Sequence, residues 1–295
     1  MKTLREVVVV SGKGGTGKTS VIASLARLMA DKIVADCDVD AANLSLVLHS
    51  HIIEERGFTG GKKANIVLDK CIQCNRCREI CSFSAIGDNF VVDTLACEGC
   101  GACYFLCPAE AVVFESHRAG ACFLCETDSK EPFVYAELVA GEDNSGKLVA
   151  MVRAAAKEQA EARGISRILI DGPPGIGCPV ISSLTGTSLA VIVTEPTSSG
   201  IHDLERILTL AGHFQTPAVV VINKSDINSV LSGTIETYCR EKGVSLLGRI
   251  PYDKNISEAQ RAGKTIVEYS PESKASHAMR HIADRLESIL KGVNT

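Results

Sequence analysis

The chain has 295 residues, 45% of them hydrophobic and 22% charged, which is ordinary for a globular protein that buries a large core. This length is typical of about two domains. A formal net charge of −4, basic residues that are scattered along the chain, and an aromatic content of 4% without Trp argue against nucleic acid as a partner.

Thirteen cysteines would suit a secreted disulfide scaffold, but other features of the chain do not. The amino terminus carries an apolar run of only four valines, Val7 to Val10, and no cleavage-site pattern. No stretch approaches the roughly 20 apolar residues that cross a bilayer. Eight of the cysteines have metal-ligand spacing. We therefore expect a cytoplasmic metalloprotein without stable membrane insertion.

In chain order, the first predicted elements are a strand at Val7–Val10, a helix from Lys18 to about Ala30 and a strand at Ile33–Ala35. The alternation resumes later, with helices at Lys147–Arg163 and Ile201–Ala211. Further apolar strands are predicted at Arg167–Ile170, Ala190–Val193, Ala218–Ile222 and Leu246–Ile250. Continuous apolar strands separated by helices indicate an α/β fold with a mostly parallel sheet, which binds ligands at the carboxyl ends of its strands.

The interval between these two halves contains an internal repeat of cysteines. Cys71, Cys74, Cys77 and Cys81 recur 26 residues later as Cys97, Cys100, Cys103 and Cys107. This duplication indicates a small inserted domain with its own fold. The predicted organisation is a core at 1–64, an insertion at 65–116, a loop-rich linker at 117–146 and the remaining core at 147–295.

The segment GKGGTGKTS follows the first strand and opens the first helix, which is the context that a phosphate-binding loop requires. Its glycines let backbone N–H groups wrap phosphates, and the helix N-terminus adds a positive dipole. Lys18 would reach the β- and γ-phosphates, and the Thr19 hydroxyl would bind Mg²⁺. The nucleotide-binding residues predicted in this loop are Gly12, Lys13, Gly14, Gly15, Thr16, Gly17, Lys18, Thr19 and Ser20.

The two cysteine runs, each spaced C-x2-C-x2-C-x3-C, match the bacterial pattern for two [4Fe–4S] clusters. In that pattern the fourth cysteine of each run ligates the other cluster. One cluster is thus assigned to Cys71, Cys74, Cys77 and Cys107, and the second to Cys81, Cys97, Cys100 and Cys103. Zinc is the main alternative, but zinc sites usually show two separated pairs of cysteines. The fold class predicted for the insertion is an α+β two-cluster ferredoxin-like domain.

With its early lysine, Lys13, the loop resembles the deviant Walker A motif of the MinD/ParA/nitrogenase-iron-protein superfamily. The resemblance implies a P-loop ATPase that depends on Mg²⁺ and works as a dimer. It also implies that Lys13 contacts the partner's phosphates and is catalytic together with Lys18. The partner is either a second copy of the chain or a paralogue.

Three other segments resemble parts of the same family. Asp36 to Asp40 is similar to switch I, which implies that Asp38 orients the attacking water near Mg²⁺. Asp171 to Gly175 is similar to Walker B and switch II, which implies that Asp171 holds Mg²⁺ and that Gly175 senses the γ-phosphate. The segment NKSD beginning at Asn223 is similar to a base-reading loop, with Asn223 contacting adenine. NKxD also occurs in guanine readers, so ATP is favoured on the rest of the family pattern.

Nearly the whole chain therefore resembles MinD-superfamily ATPases that contain an inserted ferredoxin domain. The favoured function that this implies is an iron–sulfur ATPase, in which ATP hydrolysis gates electron transfer through two [4Fe–4S] clusters to an unidentified redox partner. The alternatives are an iron–sulfur cluster carrier or assembly ATPase, and a redox-sensing positioning ATPase of the MinD/ParA type.

Two features lie outside these motifs. Cys122 and Cys125 form a C-x2-C pair that is compatible with a further metal, with a redox pair or with two buried thiols. The carboxy-terminal helix is mixed in charge, and we expect it to dock on the core instead of a membrane. Its predicted apolar face consists of Met279, Ile282, Leu286, Ile289 and Val293.

Overall fold

The computed structural model describes residues 4–139, 141–142 and 145–292. The strands are β1 (Arg5–Ser11), β2 (Ile33–Asp36), β3 (Ser50–Ile66), β4 (Val112–Thr127), β5 (Pro132–Leu138), β6 (Arg167–Pro174), β7 (Leu189–Thr194), β8 (Ala218–Ile222) and β9 (Ser245–Arg249). The helices are α1 (Lys18–Leu28), α2 (Leu44–Leu48), α3 (Arg76–Ile80), α4 (Ala102–Leu106), α5 (Ser145–Arg163), α6 (Cys178–Leu184), α7 (Ser198–His213), α8 (Ser229–Glu241), α9 (Asn255–Arg261), α10 (Ile266–Tyr269) and α11 (Lys274–Gly292).

The strands form a sheet in the order β3-β4-β5-β2-β6-β1-β7-β8-β9. Every neighbouring pair from β5 to β9 is parallel. The predicted α/β fold with a mostly parallel sheet is therefore confirmed. In this register Asp36, the last residue of β2, pairs with Asp171 of β6. The parallel arrangement thus brings the acidic residues that follow two separate strands to the same edge of the sheet.

The central strands are buried on both faces, as their continuous apolar sequences predict. Val7, Val8, Val9 and Val10 of β1 are all fully buried. Val7 and Val9 share one core with side chains of α1 and α11. Full burial of each such side chain contributes about 1.5–3 kcal/mol, so this core fixes the start of the phosphate-binding loop firmly.

The carboxy-terminal helix α11 packs on this core with its apolar face. Met279, Ile282 and Leu286 are fully buried, and Ile289 packs against the same cluster. The expectation of docking is confirmed for these residues, whereas Val293 lies outside the described residues. Along the described parts of the chain, no helix combines the length and the apolar character needed to span a membrane.

The chain divides into two compact units. The larger unit consists of Met1–Glu55, Cys122–Glu137 and Ser145–Thr295, and the smaller unit of Arg56–Ala121 and Leu138–Asn144. The expected loop-rich character of 117–146 is wrong, because β4 continues to Thr127 and β5 follows it after a short turn. Strand β4 was not predicted because it carries interspersed polar and charged residues such as Glu115 and Arg118 instead of a continuous apolar run.

The sequence repeat in the smaller unit is also a repeat of backbone conformation. Helix α4 lies 26 residues after α3, with the same length of five residues. Left-handed residues recur at the same spacing in three pairs, Gln73 and Gly99, Asn75 and Gly101, and Ser84 and Glu110. The backbone N–H of Val67 donates to Ala111 O, and 26 residues later the N–H of Asp93 donates to Ala85 O. Each half therefore folds around its cysteines in the same way.

Candidate functional site

The phosphate-binding loop connects β1 to α1 through a tight turn that requires glycine. Gly15 and Gly17 adopt left-handed conformations, with φ values of 79° and 89°. A Cβ atom at Gly17 would collide with the side-chain amide of Asn223. The buried Thr16 hydroxyl has no hydrogen-bond partner among the described residues. An orphaned polar atom in a glycine-rich cradle fits a loop that binds a polar ligand such as phosphate.

A cavity of about 570 Å³ opens beside this loop in the larger unit. It is wide enough for a drug-sized ligand. The predicted residues that line it are Gly14, Gly15, Thr16, Gly17, Lys18, Thr19, Ser20, Asp38 and Asn223. Gly12, Lys13 and Asp171 are not part of its lining. Asp171 nevertheless contacts the lining through Lys18, whereas Lys13 is directed to a different group of residues.

Lys18 is buried and lies between two acidic side chains. Its Nζ is 2.5 Å from Asp171 Oδ1 and 3.5 Å from Asp38 Oδ2. Burial opposes the charged form of Lys18, but the charges of Asp171 and Asp38 outweigh it and raise the pKa of the lysine. Lys18 is therefore a fixed cation, and two of the predicted Mg²⁺ ligands are directed at it.

The two acids of the switch I-like segment have different environments. Asp36 is fully buried and accepts the backbone N–H groups of Asp38 at 3.0 Å and Leu44 at 3.2 Å. Its two backbone hydrogen bonds make Asp36 a support for the turn, while burial and the charge of Asp171 raise its pKa. Burial also raises the pKa of Asp38, against the opposing charge of Lys18. Asp38 is more exposed and lines the cavity, as does Asp40.

The segment after Asp171 is held tightly against the phosphate-binding loop. A Cβ atom at Gly172 would lie 2.7 Å from Val10 Cγ1 and 3.0 Å from Val9 O. Gly175 is left-handed, and its N–H donates to Ser11 O at 2.9 Å. This N–H, which the resemblance assigns to the γ-phosphate, is thus bonded to the protein backbone in this structure. The bond links the switch II-like segment directly to the start of the loop.

Asn223 fixes the loop from its other side. Its Nδ2 donates to Thr16 O at 2.7 Å, and its Oδ1 accepts the N–H of Lys224 at 2.9 Å. Both ends of this buried amide are therefore hydrogen-bonded within the protein. Asp226 Oδ1 accepts the N–H of Tyr252 at 2.6 Å, which brings Tyr252 to the cavity wall. Sequence patterns did not identify Tyr252, because its segment lies on a separate loop after β9.

Lys13 is held by a group of residues that sequence reasoning also missed. Its Nζ lies 2.7 Å from Glu195 Oε1 and 3.0 Å from Ser199 Oγ. Lys224 Nζ lies 3.0 Å from Glu195 Oε2 and donates to Gly15 O at 3.1 Å. Partial burial of Glu195 favours its neutral form, but hydrogen bonds from Lys13 and Lys224 outweigh this and lower its pKa. The sequence could have pointed to Glu195 through its position directly after β7, because open parallel sheets present functional residues at the carboxyl ends of their strands.

In the smaller unit, the eight repeated cysteines surround two cavities. The first cysteine pocket is lined by Cys71, Cys74, Cys77 and Cys107. The second cysteine pocket is lined by Cys81, Cys97, Cys100 and Cys103. Each pocket thus combines three cysteines of one half with the fourth cysteine of the other. Among the described residues, no group of three or more His, Cys, Asp or Glu side chains is placed to hold a metal ion.

The fourth cysteine of each run accepts a matching backbone hydrogen bond. Ala85 N–H donates to Cys81 Sγ at 3.4 Å, and Ala111 N–H donates to Cys107 Sγ at 3.3 Å. The exposure of the cysteines follows the repeat as well, since Cys74 and Cys100 are the exposed members of the two pockets. Each pocket therefore has one exposed thiol and three thiols that are buried or half-buried.

The remaining cysteines do not form a further cluster in the described chain. Cys122 and Cys125 lie in β4 and are both buried. Residues three apart in a strand point to opposite faces, and Cys125 belongs to a core cluster that does not include Cys122. Burial raises the pKa of Cys125 to about 12. This arrangement favours two buried structural thiols over a chelating pair, while Cys178 is exposed at the start of α6.

Comparisons with known proteins agree with this fold. A family model described as the CobQ/CobB/MinD/ParA nucleotide binding domain matches residues 7–266. An uncharacterized protein from Methanocaldococcus jannaschii is 30% identical over 292 residues, covering 97% of this chain and 98% of that protein. An iron-sulfur cluster carrier protein from Pyrococcus horikoshii is 29% identical over 140 residues, covering 43% of this chain and 46% of that protein.

A solved structure of septum site-determining protein MinD with Mg-ADP, also from Pyrococcus horikoshii, has a TM-score of 0.59 and 20% identity. The alignment covers 99% of each chain, so the likeness extends over the whole fold. The family match spans most of the sequence, including both the glycine-rich loop and the acidic strand ends that face it. The chain therefore belongs to the CobQ/CobB/MinD/ParA nucleotide-binding family and is an ATPase of the MinD/ParA type.

Proposed function

We propose that this chain is an iron–sulfur ATPase that couples Mg²⁺-dependent ATP hydrolysis to electron transfer through two [4Fe–4S] clusters. The observation that carries the iron–sulfur part is the pairing of cysteines across the repeat, three from one half and one from the other in each pocket. The observation that carries the ATPase part is the buried Lys18 between Asp38 and Asp171, beside a glycine-rich loop.

On the nucleotide side, the residues present fit a metal-bound triphosphate. Thr19, Asp38 and Asp171 would hold Mg²⁺, which neutralises phosphate charge when it is bound. Lys18 forms ion pairs with Asp38 and Asp171. If Lys18 turns to a phosphate, these two carboxylates lose their ion pairs and become available to Mg²⁺. Binding of nucleotide would therefore rearrange the segments after β2 and β6 together. The related MinD was solved with Mg-ADP, which supports the same class of ligand here.

Adenine is favoured over guanine by the position of the NKSD acid. In guanine readers of this pattern the aspartate must be available to the base. Asp226 instead accepts the backbone N–H of Tyr252 at 2.6 Å. The amide of Asn223 is held by Thr16 and Lys224, so the contact with adenine that the resemblance implies requires these hydrogen bonds to rearrange. ATP is therefore the proposed substrate.

On the iron–sulfur side, the pockets fit two cubanes better than single ions. The four thiolates of a [4Fe–4S] cluster bind four different irons, so they surround a cavity instead of converging on one point. The backbone N–H groups of Ala85 and Ala111 would donate to ligand sulfur, an interaction that tunes cluster potential. When bound, each cluster supplies a one-electron relay. The chain's contribution is the two sets of four thiolates and the apolar residues around them.

A dimer is part of the proposal because of Lys13. Its resemblance to the early lysine of the superfamily implies a contact with the phosphates of a partner subunit. In this chain Lys13 is bound to Glu195 and Ser199, so contact with a partner requires that these bonds break. Glu195 would therefore hold Lys13 on its own subunit until a partner's phosphates compete for it. The partner is a second copy of this chain or a paralogue.

The test is an anaerobic redox titration of reconstituted protein followed by EPR, without nucleotide, with ADP and with a non-hydrolysable ATP analogue. We expect two cubane signals whose midpoint potentials or spin coupling change with the ATP analogue. Lys18→Ala is the control, and it should keep both clusters but lose the response to nucleotide. Signals that are identical in all three nucleotide states would contradict coupling between the ATPase and the clusters.

A cluster carrier is the second candidate, because the chain is similar over 140 residues to an iron-sulfur cluster carrier protein. The exposed Cys74 and Cys100 would give an acceptor access to each pocket. This function requires labile clusters, whereas electron transfer requires retained ones. Incubation with an apo-acceptor protein distinguishes them, since a carrier transfers its clusters at a rate that depends on ATP, and an electron-transfer protein keeps them.

A further inference from the structure

The two cysteine pockets have the same backbone but differ in the charge of their walls. Arg76 is the only charged side chain that lines the first cysteine pocket among the described residues. Glu98 is the only charged side chain in the described lining of the second cysteine pocket. The first pocket therefore has a cation in its wall, and the second has an anion.

The difference comes from the side chains at matching positions of the repeat. Arg76 opens α3, and Ala102 stands at the equivalent position at the start of α4. Glu98 follows Cys97, and Ile72 stands at the equivalent position after Cys71. Both helices have the same length, and the residues preceding them, Asn75 and Gly101, are both left-handed. Matching backbones therefore carry opposite charges beside equivalent cysteines.

Ion pairs between described residues do not neutralise Arg76 or Glu98. Arg78, the other basic residue of α3, pairs with Asp88 and so adds little net charge near the first pocket. Within the described chain, neither Arg76 nor Glu98 takes part in an ion pair. Both side chains are exposed, so water and salt weaken their electric fields. Because each side chain lines its pocket, its charge still acts on a cluster there at short range.

Building on the proposed iron–sulfur function, we infer that the two clusters have unequal reduction potentials and that the first cysteine pocket is reduced first. Reduction adds one negative charge to a cluster. A cation in the wall stabilises that added charge, and an anion in the wall opposes it. Arg76 therefore raises the potential of the cluster held by Cys71, Cys74, Cys77 and Cys107, and Glu98 lowers the potential of the other.

This inequality gives the pair of clusters a direction. An electron that reaches the second cysteine pocket moves downhill in free energy to the first. The cluster in the first cysteine pocket then holds the electron, and the electron passes from this cluster to an acceptor. Electrons would thus enter at the second cysteine pocket and leave from the first. The side chains Arg76 and Glu98 would set this direction, since the cysteine ligands of the two pockets match.

The test replaces each of these two residues by the residue at the matching position of the other half of the repeat. Arg76→Ala introduces the residue found at the matching position of the second half, and Glu98→Ile introduces that of the first half. Reconstituted protein without nucleotide is titrated anaerobically with dithionite, which donates the electrons, and each reduction is followed by EPR. Iron and sulfide contents are measured first for every variant.

We expect two resolved one-electron steps in the unsubstituted protein. Arg76→Ala should shift the higher step to a lower potential and leave the other in place, while Glu98→Ile should shift the lower step upward. The double variant should bring the steps together. Coincident steps in the loaded unsubstituted protein, or a shift of the lower step by Arg76→Ala, would overturn this inference alone. Failure to load two clusters would overturn the proposed function as well.

Discussion

Lys13 Nζ lies 2.7 Å from Glu195 Oε1 of its own chain, and the same carboxylate binds Lys224 through its other oxygen at 3.0 Å. Glu195 therefore joins the early lysine of the phosphate-binding loop to the segment after β8. Lys18, five residues further along, pairs instead with Asp171 and Asp38. The two lysines of one loop thus belong to separate networks, and their substitution should have separate consequences.

Lys18→Ala should weaken ATP binding strongly, whereas Lys13→Ala should spare binding and reduce hydrolysis. Loss of one partner of a buried charged contact costs about 2–5 kcal/mol, so we expect the Kd for ATP to rise roughly 30-fold or more in Lys18→Ala. Fluorescent-nucleotide titration measures binding, and phosphate release measures turnover. Normal turnover of a monomeric Lys13→Ala variant would contradict the role of Lys13 across a dimer.

Glu195→Gln should lower the free energy of unfolding at neutral pH, and the difference from the unsubstituted protein should disappear at acidic pH. The bonds from Lys13 and Lys224 lower the pKa of Glu195 below its usual 4.5, so the unfolded chain takes up a proton more readily than the folded one. The stabilisation is therefore complete above pH 4.5 and is lost as the pH falls through the lowered value.

Urea unfolding between pH 7 and pH 3 measures this contribution. We expect Glu195→Gln to lower the free energy of unfolding by roughly 1 kcal/mol at pH 7, with a difference that shrinks on acidification. Glu241→Gln is the matched control, because that carboxylate is exposed near the end of α8 and makes no ion pair with a described residue. An effect of Glu195→Gln that is constant over the whole pH range would argue against its titration.

Paired cysteine substitutions should reveal which thiols share a cluster. Cys71→Ser with Cys107→Ser removes two ligands of the first cysteine pocket, and we expect about half of the bound iron to remain. Cys71→Ser with Cys97→Ser damages both pockets and should leave little iron bound. Iron content and EPR after reconstitution distinguish the two variants. Equal iron loss in both would refute the assignment of cysteines across the repeat.

Thiol labelling should separate Cys178 from the buried cysteines of the larger unit. Cys178 is exposed, whereas burial raises the pKa of Cys125 to about 12 and that of Cys239 to about 11. Since the thiolate is the reactive form, maleimide at pH 7 should modify Cys178 rapidly and spare the other two until the protein unfolds. Peptide mapping by mass spectrometry locates the label, and rapid modification of native Cys125 would show that β4 opens.

Much of the ATPase core could be predicted because its signals are local. The valines of β1 form a continuous apolar run, and the glycines that follow allow the turn before α1, so strand, loop and helix were located within a few residues. Strand β3 was not predicted, because its residues are largely exposed and polar. A strand of this kind is stabilised by backbone hydrogen bonds to residues that are distant in sequence.

The sequence by itself determined which chemical groups this protein contains: a glycine-rich loop with two lysines, acids at strand ends and two equally spaced sets of cysteines. These groups can be recognised from the spacing of residues along the chain, because each loop or ligand turn is formed by a few consecutive residues. Only the tertiary structure decided that Glu195 binds Lys13, that Asp226 binds Tyr252, and that Arg76 and Glu98 line different pockets. Such pairings depend on how distant segments pack, and short-range patterns carry no record of packing between distant segments.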